Sequence, residues 1–258
     1  YLKNIIRHYY EKRLHKGVIK MFFRGYYGLM KDITKNVDVF LPNSISEMDR
    51  VAKEFELKNY KFEVVPNAID KKIFDSSVNP KGDQFLKYKD CIVCAARIEG
   101  RKSTLNLIRA VKGTNYILVL VGNESKNQKK YVDQVHAEAD KNVVFLGSIP
   151  HEELRELYQI AKVHALVSWM ETPGLSSLEA AAMRCNIVVT KKGDTEEYFE
   201  DFAFYCEPDD VRTIKEAIDN AYLSDFNEEL RNKILTNYTW ERAAESTLRG
   251  YNKALINV

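Results

Sequence analysis

The sequence has no G-x-G-x-x-G run after an apolar strand, no apolar stretch of transmembrane length, no low-complexity tract and no repeat of solenoid type. The first absence argues against an NAD-dependent oxidoreductase, whose glycines let the pyrophosphate approach the backbone. The second argues against a spanning helix, which takes about 20 apolar residues. No secretory leader is read at the start of the chain. Cysteine is sparse: Cys91, Cys94, Cys185 and Cys206 sit in or beside apolar runs without framework spacing, so reduced thiols in a cytoplasmic protein are expected. Cys91-x-x-Cys94 has the spacing of half a zinc site, but no second pair follows and both residues fall within a strand pattern. Buried thiols are the expectation, and no metal site is expected.

What is present can build a core. The chain has 258 residues, of which 45% are hydrophobic and 29% charged, a balance of globular and not disordered sequence. That length exceeds the usual single domain and predicts one complete domain plus part of another. Because the chain begins at Tyr1 and not methionine, it is expected to be a fragment, a processed chain or a deliberately trimmed one. The net charge of +2 hides an asymmetry, since residues 1–36 carry nine Lys/Arg against Glu11 and Asp32. Tyr9, Tyr10, Phe22, Phe23, Tyr26 and Tyr27 interleave with those cations. One reading is a peripheral helix on anionic lipid at the inner face of the cell membrane. The other, which we favour, is a surface helix whose aromatic residues pack on another part of the protein. No nucleic-acid partner is expected.

Along the chain, Asp38–Leu41 and Phe62–Val65 read as short strands flanking a helix from Ser46 to about Phe55, the end of a doubly wound domain over residues 1–67. Residues 68–88 are polar and turn-rich and read as a linker. Apolar runs at 91–96, 116–121, 143–146, 163–168, 187–190 and 202–206 then alternate with amphipathic helical stretches. That alternation predicts an α/β fold with parallel strands and crossover helices, one complete Rossmann-like domain over 89–225. Residues 226–258 read as helices packing back toward the N-terminal part.

In such a sheet, ligands bind beyond the carboxyl ends of the strands. The loop after the first strand, Arg97-Ile98-Glu99-Gly100-Arg101-Lys102-Ser103, places cations before a helix, a plausible diphosphate cradle or simply a solvated basic turn. The loop after the fourth strand runs from Ser168 through Glu171 and Pro173 into a helix that carries Glu179. Two carboxylates and a helix N-terminus offer acceptors for sugar hydroxyls and donors for phosphate oxygens. On composition alone the plainer reading prevails, in which Glu171 complements the helix dipole and Glu179 is a surface residue.

Taken in order, Val65-Pro66-Asn67-Ala68-Ile69-Asp70, Arg97 with Lys102, Val121-Gly122, Val144-Phe145-Leu146-Gly147 and the Ser168–Glu179 segment resemble family 4 of the retaining glycosyltransferases. The resemblance covers about Asp38 to the C-terminus and implies a GT-B type fold, with the complete domain on the donor side and a partial second Rossmann-like domain on the acceptor side. It further implies that Arg97 and Lys102 neutralise the diphosphate of a nucleotide sugar with help from Arg101, and that Glu179 holds the ribose. Glu171 would face the transferred sugar, and the main chain at Gly174 and Leu175 the phosphate or sugar. The loop at Ser148, Ile149 and Pro150 would meet the base. Departures are Ser103, where glycine is common, and Pro173, which lacks an N–H where phenylalanine is common. Gly193 and Glu197 also fit, without an assigned role, whereas His8 and His15 do not match the family's histidine motif.

The reaction so implied moves a hexosyl unit to an acceptor hydroxyl with retention, in polysaccharide or glycoconjugate synthesis. The leaving diphosphate would be stabilised by cations, without a divalent metal or other cofactor. The acceptor, whether glycan, glycolipid or lipid-linked oligosaccharide, is not specified. Rival readings are a nucleotide-sugar-binding module without turnover and a nucleotide-sugar epimerase on the same fold. The paired glutamates argue against the epimerase.

Overall fold

The computed structural model describes residues 16–74 and 83–256, and only the backbone of residues 16–24. Expectations that rest on Tyr9, Tyr10, Phe22, Phe23, His8 and His15 therefore lie outside the described side chains.

Six short strands form one parallel sheet: β1 (Ile92–Ala95), β2 (Leu118–Val121), β3 (Val143–Gly147), β4 (Val163–Leu166), β5 (Asn186–Thr190) and β6 (Phe204–Cys206). Their order is β3-β2-β1-β4-β5-β6, with every pairing parallel. Strands this rich in Val, Ile and Leu on both faces need cover on both sides, and helices supply it. Residues on one face, including Val93, Val119, Leu166 and Val189, pack into one apolar cluster, while Ile92, Leu118, Ala165 and Val188 pack into a second. Cys91 and Cys94 are three residues apart and so fall into opposite clusters, one on each face of the sheet. Their thiols are turned away from one another, which is incompatible with a shared zinc. Burial pushes both thiols up to about 12.

The chain enters through helix α1 (Lys16–Thr34), interrupted at Gly25, and helix α2 (Ile45–Phe55). Ser44 caps α2, its hydroxyl accepting from the Glu47 N–H while the Glu47 carboxylate accepts from the Asn43 N–H. This reciprocal arrangement explains a start at Ile45. The two strands expected around α2 are reduced to a single parallel bridge between Phe40 and Phe62. Three main-chain hydrogen bonds join the segments, from Phe40 to Lys61, Glu63 to Phe40 and Val65 to Pro42. Pro42 and Pro66 follow directly and have no N–H to extend the ladder.

The polar segment read as a linker is anchored at both ends, because Ile69, Phe74 and Phe85 are buried in the first cluster. After β1 comes α3 (Thr104–Val111). Helices α4 (Lys129–Glu138), α5 (His151–Ile160), α6 (Leu175–Ala182), α7 (Thr195–Phe199) and α8 (Val211–Leu223) follow β2 to β6 in turn. The chain closes with α9 (Glu228–Asn237) and α10 (Trp240–Leu255). The last helix lies on the Phe40/Phe62 bridge: Glu63 takes ion pairs from Arg249 at 2.7 Å and Lys253 at 2.6 Å. Among the described residues, no helix is long and apolar enough to cross a membrane.

Candidate functional site

The strand order reverses between β1 and β4, and at this switch point, the crevice position of such a sheet, the loops after the two strands face each other and are joined by a bond from the Trp169 N–H to the Arg101 carbonyl at 2.9 Å. Both are the loops singled out by sequence. After β1, Gly100–Lys102 form a turn of 3₁₀ helix, and Ser103 takes a left-handed conformation (φ 50°) before α3 begins. The cations therefore project from the tight turn, one residue short of the helix proper. The Ser103 side chain donates to the Pro208 carbonyl at 2.6 Å and accepts from Asn106, which ties the loop to the end of β6. That bond supports a backbone geometry in which glycine is the more usual residue.

Lys102 reaches across the crevice to the Glu171 carboxylate and hydrogen-bonds it directly. Arg101 lies 3.6 Å from the same oxygen and donates to the Met170 carbonyl at 2.7 Å. Its other guanidinium nitrogen pairs with Glu99 at 3.4 Å. Arg97 also pairs with Glu99, at 3.3 Å, and points largely into solvent. The structure thus joins Arg101, Lys102 and Glu171 directly, while Arg97 connects to them only through Glu99. Sequence reading passed over Glu99. Its place between two arginines in one loop was the signal that could have found it.

Glu171 is fixed from behind. Its N–H donates to the Lys192 carbonyl and its carbonyl accepts from the Asp194 N–H, bridging the loops after β4 and β5. This close approach requires glycine at Gly193 (φ 104°), where a Cβ would stand 2.0 Å from the Glu171 carbonyl oxygen. The Glu171 carboxylate also reaches toward the start of α6, since a Cβ on Gly174 would lie 3.6 Å from Oε2. Gly174 is the N-cap of α6, so no side chain closes the first turn, and the helix presents its N-terminal dipole to the crevice. Leu175 opens that turn and is exposed, as are Trp169 and Met170 on the same loop. From the other side, the Asn67 side chain donates to the Thr172 carbonyl at 2.8 Å, which gives the Val65–Asp70 segment a physical role in holding the Glu171 loop.

Glu179 lies in the second turn of α6, largely covered, and burial raises its carboxyl to about 7. Burial is the sole cause of that shift, and the charges of Lys102 and Glu171 do not contribute to it. Ile149 follows β3 and packs its side chain against the first core cluster, leaving its loop at the same edge of the sheet. Among the described residues, no three His, Cys, Asp or Glu side chains converge as a metal-ligand set.

The family model described as Glycosyl transferases group 1 matches residues 78–239, which take in the whole sheet and both crevice loops. The chain belongs to this family. Two relatives agree with that placement. From Arabidopsis thaliana, a phosphatidylinositol N-acetylglucosaminyltransferase subunit is 28% identical over 204 residues, covering 74% of this chain and 44% of its own. The O-antigen chain mannosyltransferase RfbU of Salmonella typhimurium is 27% identical over 209 residues, covering 78% of this chain and 55% of its own. The chain therefore spans about half the length of these relatives. Among solved structures, sucrose-phosphate synthase from Thermosynechococcus elongatus superposes with a TM-score of 0.76 at 20% identity, over 90% of this chain and 62% of that one. At that identity the likeness concerns fold, and the fold is of the GT-B type expected from sequence. The group 1 match gathers the crevice into one frame, with the cation turn and the Glu171 loop facing each other across the switch point.

Proposed function

We propose that the protein of which this chain is part is a retaining glycosyltransferase that moves a hexosyl unit from a nucleoside-diphosphate sugar to an acceptor hydroxyl. Residues 89–225 would bind the donor, and residues 1–67 would close the acceptor side, with 226–258 bracing the two. The observation that carries this reading is the convergence of Lys102, Arg101 and Glu171 at the open N-terminus of α6.

In this reading the Glu171 carboxylate holds the place of an anion between donors. An entering diphosphate takes over the cations and the helix N-terminus, exchanging one negative partner for another. Glu171, released from Lys102, turns to the hydroxyls of the transferred hexose. As the anomeric bond breaks, charge grows on the departing phosphate and is met by Lys102, Arg101, the solvent-facing Arg97 and the α6 dipole. Positive charge already fixed in the site would serve without a divalent metal. The Glu179 carboxylate would accept from the ribose hydroxyls, and main-chain atoms around Ile149 would meet the base. RfbU is by name an O-antigen chain mannosyltransferase, and the Arabidopsis relative belongs to a phosphatidylinositol N-acetylglucosaminyltransferase. We extend from them to a polysaccharide or glycoconjugate acceptor, reached in the cytoplasm or at the inner face of a membrane.

Calorimetric titration with UDP, GDP and ADP sugars tests the reading. Binding by one member, weakened by Glu179→Ala and by Lys102→Ala, is expected. Binding unaffected by either substitution would overturn the assignment of the crevice.

A further inference from the structure

Helix α2 ends, at its N-terminus, on two carboxylates about 150 residues away, Asp194 at the end of the loop after β5 and Glu197 in α7, which that loop opens. With Ser44 and Glu47 satisfying the cap, the next two N–H groups, of Ile45 and Ser46, are both taken by Glu197, at 2.8 and 3.0 Å. The single hydrogen of the Ser46 hydroxyl is shared between Asp194, at 2.5 Å, and Glu197, at 3.1 Å. Arg50, one turn along the same helix, pairs with that Asp194 oxygen at 2.6 Å, where the Asp194 side chain has no exposed surface. Burial alone would raise the Asp194 carboxyl. Hydrogen bonds from Ser46 and Arg50 reverse this and hold it below its ordinary value.

The main chain of the same loop is what grips Glu171: the Asp194 N–H donates to the Glu171 carbonyl at 2.9 Å, and the Lys192 carbonyl accepts from the Glu171 N–H at 3.1 Å. One residue, Asp194, therefore holds α2 with its side chain and Glu171 with its backbone. A second tie runs parallel to it, because the Tyr198 hydroxyl donates to the Asn43 carbonyl and accepts from the Asn67 N–H, and Asn67 holds Thr172. A shift of α2 cannot occur without either breaking these bonds or moving the segment that carries Glu171.

We propose that Asp194 and Glu197 are positioning residues that transmit the docking of α2 to Glu171, so that the sugar contact is set only when the N-terminal segment is seated. This rests on reading Glu171 as the residue that faces the donor sugar. Neither Arg50 nor Glu197 is part of the proposed donor machinery, which makes them clean handles.

The test compares Arg50→Met, Glu197→Gln and the conservative Arg50→Lys with the unsubstituted chain, using Arg109→Met as a surface control. Hydrogen exchange is followed in peptides covering 169–174. Calorimetry measures UDP, GDP, UDP-N-acetylglucosamine and GDP-mannose. Faster exchange at 169–174 in Arg50→Met and Glu197→Gln is expected, with partial restoration in Arg50→Lys. Affinity for the bound nucleotide sugar should fall about fivefold or more, the scale of coupling between sites, while that for its diphosphate does not fall. Exchange that rises only in 45–55, or equal losses for sugar nucleotide and diphosphate, would overturn the proposal. If the unsubstituted chain binds none of the four compounds, the wider panel of UDP, GDP and ADP sugars decides the donor reading, and exchange at 169–174 decides the coupling by itself.

Discussion

Lys102 and Glu171 form an ion pair across the crevice in which the lysine side chain keeps 12% of its surface exposed and the glutamate 9%. Removing one partner of a covered pair strands the other, which typically costs about 3 kcal/mol or more. Lys102→Met should therefore destabilise the chain by about 2–3 kcal/mol, at the lower end because Arg101 remains near Glu171. The double variant Lys102→Met/Glu171→Gln should recover part of that loss. Urea denaturation of the unsubstituted chain, Lys102→Met, Glu171→Gln and the double variant gives the coupling directly, and strictly additive effects would show that the pair contributes nothing.

Glu179 carries its cost in the opposite sense. Its carboxyl is raised from 4.5 to about 7 by burial, so the folded state binds more protons than the unfolded one between those values. Stability should fall as pH rises through that window and level off above it. Glu179→Gln should remove that slope and be more stable at pH 8 by on the order of 2 kcal/mol, while losing donor affinity. Urea midpoints at pH 5 and pH 8 check the first half. A ribose hydroxyl that donates to the ionised form also makes binding release protons near pH 7, which calorimetry in buffers of different ionisation enthalpy reads. Proton uptake, or none, would mean that Glu179 is not the ribose acceptor.

The sheet was legible in the sequence because its strands are buried on both faces and so form unbroken apolar runs, Ile92–Ala95 and Leu118–Val121 among them. The rule that ligands bind beyond the carboxyl ends of parallel strands then directed attention to the loops, among them those bearing Lys102 and Glu171. What could not be read is pairing between distant segments. Nothing local in Asp38–Leu41 says that it meets Phe62 through one bridge only, nor does the β1 loop announce that Glu99 divides its charge between two arginines. Asp194 was passed over beside Gly193 and Glu197, since its importance lies in partners 148 and 23 positions away, at Ser46 and Glu171.

Ser103 offers a test in which two effects oppose each other. Its left-handed backbone favours glycine, while its hydroxyl bonds Pro208 from a buried position. Ser103→Ala keeps the strain and loses the bond, leaving the Pro208 carbonyl with one partner fewer. It should cost about 1–3 kcal/mol. Ser103→Gly loses the same bond but relieves a left-handed strain of about 1–2 kcal/mol, partly offset by the greater chain entropy of glycine, so it should cost less than alanine by roughly 0.5–1 kcal/mol. Thermal melts of both variants rank them, and an alanine variant as stable as glycine would show that the strain at this turn is negligible.

His164 lies at the centre of β4 with no exposed surface, edge-on to Tyr158 at 5.7 Å, and neither ring nitrogen has a hydrogen-bond partner. Burial, reinforced by the charge of Lys102, lowers its pKa from 6.5 to about 3. Below pH 6.5 the unfolded chain gains a proton that the folded chain refuses, so stability should decline as pH falls toward 3. This is the reverse of the Glu179 limb, and the two overlap between pH 4.5 and 6.5, where wild-type data alone would show only their difference. Substitution separates them. His164→Leu removes the imidazole's acid limb and replaces unpaired polar atoms with apolar ones of similar size, which is neutral or stabilising. Its advantage over the unsubstituted chain should grow by about 2 kcal/mol between pH 7 and pH 5, measured as the difference in urea-derived free energies. A constant difference across that range would mean that the imidazole takes up its proton in the folded state. The ring would then be solvated or hydrogen-bonded beneath the crevice, and Lys102 would share its surroundings with a second cation.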